Sequence, residues 1–308
     1  MIDRVTINDF RDVQIQFGLP KAALVEKDLY VVRAIAAIAA ANTAPFRLVF
    51  GGGTSLSRAH GVIRRMSEDI DLKIVGDREP TRPELRRLRD TITKALLTAG
   101  FCFDPANRTH RDSRNESRYT IFRLPYEPLL RGDGVLRPEI QIEVAVWPLR
   151  RASVNLPVCS FVAEAFGHSP EVASIPCVAI TQTAAEKFVA LTRRIAAELA
   201  DTSNPRDATL VRHIYDLHVI RPHYDPAEVA ALALSIMPHD ADVFGNQFPP
   251  YRDDPLAETM RAVSALQTDG GYAQRYAHFL RDMVYGEKIV FAVCLDTLNK
   301  LAGHLVKI

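Results

Sequence analysis

The spacing of apolar residues predicts a helix and two strands in the first quarter of the chain. Residues 23–41 place apolar side chains every three or four positions and are rich in alanine, which favours a long, largely buried helix. Residues 46–53, FRLVFGGG, predict a short strand that ends in a glycine turn. Residues 69–74, DIDLKI, alternate polar and apolar side chains, as expected for a half-buried strand.

Capping residues and glycines mark two further helices. The segment 54–61, TSLSRAHG, predicts a brief helix that is capped by Thr54 or Ser55 and stopped by Gly61. Residues 81–98 begin with a capping threonine followed shortly by a proline, and a glycine follows soon after their end. This punctuation predicts a second, longer helix.

The pattern changes from strands to helices near residue 180. Residues 108–118 are polar and rich in arginine, and two strand-like segments follow, 119–126 and 137–147, which we expect to pair as a hairpin or as adjacent strands. From Thr181 onward the apolar period is helical. The pattern therefore favours an α/β (α+β) part followed by a mostly α-helical part.

Composition and charge narrow the class of protein without identifying a partner. The chain has 308 residues, of which 47% are hydrophobic, and a formal net charge of +1, so any nucleic-acid binding must come from local patches. Its four cysteines are scattered, which is typical of a protein of the reducing cytoplasm rather than of a disulfide framework or zinc site. The first residues lack a signal-peptide pattern, and charged residues interrupt every long apolar stretch, so we expect no membrane span.

The most informative chemistry lies in the strand predicted at residues 69–74. Residues i and i+2 of a strand point to the same side and stand roughly 6 to 7 Å apart, so Asp69 and Asp71 converge. A divalent cation relieves their repulsion, and two such ions support phosphoryl transfer. Glu139 and Glu143 share one face of a later strand, and Glu143 is the preferred third carboxylate because it lies deeper in the apolar run. Alternatively, the aspartates mark the solvent face of an edge strand.

Three consecutive glycines, Gly51 to Gly53, precede these aspartates. Glycines let backbone N–H groups approach an anion, and a helix that starts at Thr54 or Ser55 would direct its positive end toward a phosphate. The motif is not a P-loop because GxxxxGK[ST] is absent, and Arg58 is the basic residue that follows closely. A tight turn from strand to helix is the alternative. Together with the aspartates, the turn indicates a nucleoside triphosphate bound with magnesium.

Six segments, in this order, resemble the AbiEii/MenT family of nucleotidyltransferase toxins from bacterial toxin–antitoxin and phage-defence systems, within the DNA polymerase beta-like superfamily. They are VEKDLYVVRAI (25–35), FGGGTSLSRAHG (50–61), RRMSEDIDL (64–72), EKFVAL (186–191), RHIYDLHVI (212–220) and MVYGE (283–287). The resemblance implies a nucleotidyltransferase core with a mixed sheet in residues 1–180, and a helical domain in residues 181–308 that contributes to the site.

The resemblance also implies roles for individual residues. Asp69 and Asp71, with Glu143, would hold two Mg²⁺ ions, or Mn²⁺ in their place. Lys187 would contact a phosphate, and Asp216 would orient Lys187 or act as a base or structural anchor. The residues expected to bind the nucleotide are Gly52, Gly53, Thr54, Ser55, Arg58 and Lys187.

Ordinary structural roles remain open for several of these residues. Lys187 could lie on a solvated helix face paired with a nearby glutamate, and Asp216 could form a helical ion pair with Arg212. The family's lysine and aspartate segments usually lie closer together than they do in this chain, where residues 196–207 intervene. The charged residues 26–28 would either solvate the first long helix or pack behind the site.

The function implied is transfer of a nucleoside monophosphate from an NTP to an RNA acceptor, the 3′ end of a tRNA in MenT-like members. The implied partner is a winged-helix antitoxin that acts directly or by transcription. Ser67 is a candidate regulatory position, because a phosphate there would add about two negative charges beside the carboxylates. Four arginines are either a patch for RNA phosphates or part of a solvated loop; they are Arg108, Arg111, Arg114 and Arg118.

Two other functions share this core. A small-molecule nucleotidyltransferase of the antibiotic-modifying kind would label a low-mass acceptor and no RNA. A non-catalytic module that binds RNA or protein would keep its cellular effect after Asp69 and Asp71 are replaced.

Overall fold

The fold is that of a computed structural model, which describes residues 5–130, 136–201, 203, 206–245 and 248–307. The chain forms two compact units, one extending to Val178 and the other beginning at Ala179. This division lies close to the boundary predicted near residue 180.

The first unit contains a seven-stranded mixed sheet. The strands are β1 (Arg47–Gly51), β2 (Asp69–Val75), β3 (Arg111–Arg114), β4 (Tyr119–Pro125), β5 (Glu139–Val146), β6 (Val154–Val158) and β7 (Val172–Cys177). Their order is β3-β4-β5-β2-β1-β7-β6. The pairs β2–β5 and β1–β7 are parallel and the other neighbours are antiparallel, which confirms the mixed sheet.

Helices flank the sheet in the first unit and make up the second. The first unit has α1 (Ile7–Phe17), α2 (Ala23–Ala39), α3 (Gly52–Arg58), α4 (Arg82–Thr98) and α5 (Phe161–Ala165). The second has α6 (Ile180–Ala200), α7 (Arg212–Val219), α8 (Pro226–Phe244), α9 (Pro249–Asp253), α10 (Pro255–Thr268), α11 (Gly270–Met283) and α12 (Phe291–Leu305). Within the described residues, no helix combines the length and apolar character required to cross a membrane.

One face of the sheet packs into the hydrophobic core, and the other face carries the charged side chains of β2. The buried side chains of β2 are Ile70, Leu72 and Ile74, which join α2, α4 and the apolar residues of β4 and β5 in one hydrophobic cluster. Because side chains alternate along a strand, the intervening residues of β2 point to the opposite face. The predicted strand 69–74 is therefore confirmed, together with its apolar and acidic faces.

Helix α4 confirms the sequence prediction, whereas the start of α3 corrects it. Glu84 accepts a hydrogen bond from the backbone N–H of Thr81 at 2.9 Å, as in a capping box. In α3, however, the N-cap is Gly51 rather than Thr54 or Ser55. The turn from β1 into the helix is made at Gly52, whose left-handed φ of +71° is one that glycine adopts readily.

The charged residues at the start of α2 are buried rather than solvated. Glu26 accepts hydrogen bonds from the backbone N–H groups of Leu129 and Leu130, at 2.7 and 3.0 Å. Lys27 is fully buried and donates to the carbonyl oxygens of Arg137 and Glu139. These bonds fasten the chain before β5 to α2, because a buried charge is stable only when it has partners.

Asp28 is buried between α2 and α5. Its carboxylate accepts a hydrogen bond from the backbone N–H of Phe161 at 2.8 Å and lies 3.5 Å from the Arg58 guanidinium. Burial raises the pKa of Asp28 to about 6, although Arg58 and the Phe161 N–H oppose the shift. The carboxyl group therefore titrates in a range that is accessible to experiment.

We expect Asp28→Asn to remove a pH-dependent loss of stability. The folded protein keeps a proton on Asp28 that the unfolded chain releases near its ordinary pKa of 3.8, so the free energy of unfolding falls as the pH rises from about 4 to about 6. The shift corresponds to about 3 kcal/mol. Denaturant unfolding at several pH values should show this fall in the wild type relative to the variant. Parallel curves for the two proteins would contradict it, and the exposed Asp77→Asn serves as the control.

Candidate active site

The acidic face of β2 and β5 brings three predicted ligands onto one surface. Asp69 and Asp71 lie two residues apart on β2, and in the parallel register Asp69 lies opposite Gln141 and Asp71 opposite Glu143. Side chains of register partners share a face of the sheet. The register therefore places Glu143 beside Asp71, whereas Glu139 lies two residues before Gln141.

The glycine turn packs directly against this acidic face. Gly51 is the register partner of Asp71 on β1. A Cβ atom at Gly52 would overlap the Asp71 carboxylate, at 2.7 Å from its Cγ atom. A Cβ atom at Gly53 would lie 2.5 Å from the guanidinium of Arg65. At position 52, glycine is the residue that allows both the left-handed φ and so close an approach to Asp71.

Three residues with hydroxyl groups, Thr54, Ser55 and Ser67, are buried around the turn, and each has a different neighbour. Thr54 donates its hydroxyl hydrogen bond to the backbone oxygen of Asp69 at 2.5 Å, which ties α3 to the start of β2. The buried Ser55 hydroxyl lies beside the thiol of Cys177 on β7. Ser67 is 8% exposed, and its hydroxyl lies 2.7 Å from the position that a Cβ atom at Gly53 would take. Thr54 and Ser55 therefore support the turn from inside.

Two side chains that the sequence analysis did not single out hold Glu143. Gln141 donates its amide hydrogen bond to Glu143 Oε1 at 2.9 Å. The hydroxyl of Tyr119, on β4, also hydrogen-bonds to Glu143, and burial, followed by the charge of Glu143, raises the pKa of Tyr119. Tyr119 thus remains a protonated donor. Gln141 could have been found from the strand alternation, whereas Tyr119 is placed only by the pairing of β4 with β5.

Arg137 is the third residue that the sequence analysis missed. Its guanidinium forms an ion pair with Asp69, lies 3.9 Å from Glu68, and donates a hydrogen bond to Gln141 Oε1 at 2.9 Å. A hydrogen-bonded chain thus runs from Asp69 through Arg137 and Gln141 to Glu143. The predicted strand 137–147 included Arg137, whereas β5 starts at Glu139, and only the pairing of β5 with β2 brings the Arg137 side chain to Asp69.

Arg58, expected to contact the nucleotide, has described contacts with side chains of α2 and α5. Its guanidinium stacks 3.7 Å from the centroid of the Phe161 ring and pairs with Asp28 and Glu164. This places Arg58 in the junction of α2, α3 and α5. Its described contacts are those of a residue that fixes α3.

The arginine-rich segment 108–118 is extensively ion-paired. Arg108 and Arg114 both bond to Asp112, at 3.0 and 2.9 Å. Arg111 lies 3.5 Å from Asp90, and Arg118 lies 2.7 Å from Glu79. Part of the segment is strand β3, which the polar pattern did not predict because backbone pairing with β4, rather than an apolar face, forms it.

Lys187 and Asp216 form a buried ion pair within the second unit. Lys187 Nζ on α6 lies 2.8 Å from Asp216 Oδ2 on α7, and the two side chains are 7% and 0% exposed. The solvated-face interpretation of Lys187 is therefore wrong. The intervening segment 196–207 contains residues 202, 204 and 205, which lie outside the described residues.

The acidic face has the donor chemistry for magnesium but is not a preformed cage. In the part of the chain that the structure describes, no three or more His, Cys, Asp or Glu side chains form a group that could hold a metal ion. Mg²⁺ is usually held by one or two carboxylates, while phosphates and water complete its shell. The carboxylates of Asp69 and Asp71, with the glycine turn against Asp71, fit a magnesium site of this open kind.

Comparison with known proteins identifies a matching family and a shared fold. The family model described as nucleotidyl transferase AbiEii toxin, type IV toxin–antitoxin system, matches residues 33–297. The solved structure of MenT4, a nucleotidyltransferase toxin from Mycobacterium tuberculosis H37Rv, aligns with 97% of this chain and 90% of its own, with a TM-score of 0.57 and 18% identity. This likeness shows a shared fold.

A search of curated proteins finds no match. The family model, however, covers most of the chain, including the glycine turn, both aspartates, Lys187 and Asp216. We conclude that the chain belongs to the AbiEii family of nucleotidyltransferase toxins of type IV toxin–antitoxin systems.

Proposed function

We propose that this protein transfers a nucleoside monophosphate from an NTP to an RNA acceptor, the 3′ end of a tRNA, with release of pyrophosphate, in a magnesium-dependent reaction. The observation that carries the proposal is the register that sets Asp71 beside Glu143, with Gly52 packed against Asp71. Carboxylates next to a turn without side chains suit a cation whose shell is completed by the phosphates of a triphosphate and by water.

The residues of the first unit would bind the cations and the triphosphate. Asp69, Asp71 and Glu143 would hold two Mg²⁺ ions. Bound there, the ions would neutralise phosphate charge and align the acceptor hydroxyl with the α-phosphate. The turn at Gly52 and Gly53 would let backbone N–H groups approach the triphosphate.

The Lys187–Asp216 pair supports the role that the family pattern assigns to it. A lysine ammonium is a compact charge suited to a phosphate, and Asp216 fixes its direction through the 2.8 Å contact. We propose that Lys187 contacts a phosphate of the nucleotide and that Asp216 orients it.

The proposed setting is a bacterial cytoplasm, with phage defence as the biological role and a winged-helix antitoxin as the partner. Modification of the tRNA 3′ end would stop translation, which accounts for toxicity. The arginines of segment 108–118 would have to exchange their ion pairs for RNA phosphates. Because such contacts release counter-ions from the RNA, binding there should weaken with added salt.

The test incubates purified protein with Mg²⁺, each α-labelled NTP in turn, and total tRNA. We expect label on tRNA with at least one NTP, and no transfer by Asp69→Ala. Label on a low-mass acceptor and none on RNA would instead favour the small-molecule enzyme. Absence of transfer to any acceptor, with toxicity unchanged in Asp69→Ala, would favour the non-catalytic module.

We also propose that phosphorylation of Ser67 blocks the site. Ser67→Asp should lower transfer by more than about tenfold, because a buried negative charge over Gly53 repels a triphosphate. Ser67→Ala, which adds no charge, should retain most of the activity. Full activity in Ser67→Asp, measured in the same labelling assay, would remove this regulatory role.

A further inference from the structure

The side chain of Arg137 forms an ion pair with the carboxylate that a cation would bind. Its guanidinium pairs with Asp69 Oδ1 and also donates to Gln141, while Asp69 itself is only 14% exposed. A divalent cation on Asp69 needs the same oxygen lone pairs. The guanidinium and the cation therefore compete for one ligand.

The backbone at Arg137 is fixed, whereas the side chain is free to leave. Its carbonyl oxygen accepts a 2.6 Å hydrogen bond from the fully buried Lys27, whose second acceptor is the carbonyl oxygen of Glu139. The Arg137 side chain is 43% exposed, so solvent can receive the guanidinium without movement of β5. Displacement thus requires only rotation of a side chain.

The charge balance around Asp69 indicates why this arginine is present. Glu68 pairs with Lys27 at 3.1 Å, and Arg137 places a positive charge directly on Asp69. Asp71 lies on the same side of the strand, so the guanidinium also lowers the negative charge that Asp69 and Asp71 present together. The guanidinium therefore offsets part of the repulsion between these carboxylates when no cation is bound.

We propose that Arg137 is a built-in counter-ion of Asp69, which holds the acidic face in place without metal and which divalent cation must displace on binding. This inference rests on the proposed metal site. It assigns Arg137 a role in setting the affinity for the cation rather than in the chemistry of transfer.

Removing the guanidinium should therefore tighten cation binding. A charge-assisted pair lost on binding weakens the measured affinity by roughly tenfold. Calorimetric or spin-resonance titration of nucleotide-free protein with Mn²⁺ should give a dissociation constant roughly tenfold lower for Arg137→Gln than for the wild type. Arg137→Lys keeps the charge without the planar fork, so its constant should fall between those two.

Arg123→Gln is the matched control. Arg123 is a register neighbour of Gln141 on β4 and lies 4.0 Å from Glu139, so its replacement removes the same charge from the same region. Its effect on Mn²⁺ affinity should be much smaller than that of Arg137→Gln. An equal gain in both variants would show general electrostatics and overturn the proposal.

Other outcomes separate this inference from the proposed function. Unchanged or weaker Mn²⁺ binding in Arg137→Gln, with the wild type binding normally and Asp71→Asn binding weakly, would overturn the role of Arg137 and leave the metal site standing. Absence of Mn²⁺ binding in every protein would overturn both. Circular dichroism of each variant confirms that the fold persists.

Discussion

Asp71→Asn is expected to lower nucleotide transfer by a factor on the order of a hundred to a thousand while leaving the protein folded. Asp71 is the central carboxylate of the acidic face, next to Asp69 on its own strand, opposite Glu143 and against Gly52. Asparagine keeps the shape but removes the negative charge, and loss of one preorganised electrostatic group costs about this much. The initial rate of label transfer to tRNA, at saturating Mg²⁺, measures the effect.

The matched control is Asp77→Asn, which removes the same charge from an exposed position shortly after the same strand. It should retain the wild-type rate. Comparable rates for Asp71→Asn and the wild type would show that the acidic face takes no part in transfer. A loss of the folded state in Asp71→Asn, seen by thermal unfolding, would instead show a structural role.

Gly52→Ala is expected to have the second largest effect, on stability and activity together. Alanine at φ +71° costs roughly 1 to 2 kcal/mol, and its Cβ atom would overlap the Asp71 carboxylate. Forcing such a contact apart typically costs a further 1 to 3 kcal/mol. We therefore expect a fall of about 3 kcal/mol in the free energy of unfolding and loss of transfer, since Asp71 must move.

Gly61→Ala separates these two contributions. Gly61 has a similar φ of +67°, but a Cβ atom there would meet nothing within 4 Å. Denaturant unfolding should therefore show a loss of about 1 to 2 kcal/mol in Gly61→Ala, from backbone strain alone, with transfer intact. Equal losses of stability and activity in the two variants would mean that the contact between Gly52 and Asp71 has no consequence.

The elements that carry the acidic face could be predicted from sequence because their signals are local. The alternation of residues 69–74 fixes which side chains of β2 face the core, and the threonine and glutamate that cap α4 lie within one turn. The family resemblance supplied the remaining assignments. It drew Lys187 and Asp216 together, and the structure places them in contact.

The contacts that tune the site could not be predicted, because they depend on pairing between distant parts of the chain. Tyr119 reaches Glu143 only because β4 lies beside β5, and Arg137 reaches Asp69 only because β5 lies beside β2. The start of α3 depends on a left-handed glycine, which a sequence pattern does not separate from an ordinary turn. Sequence therefore indicates the ligands, and the sheet register determines their neighbours.

The most direct test of the account is a crystal structure of the protein with Mn²⁺ and a non-hydrolysable NTP analogue, with anomalous diffraction to locate the metal. We predict anomalous peaks within about 2.5 Å of the carboxylate oxygens of Asp69 and Asp71, and phosphates against Gly52 and Gly53. Metal and nucleotide bound elsewhere, with Asp69 still paired to Arg137, would contradict the account.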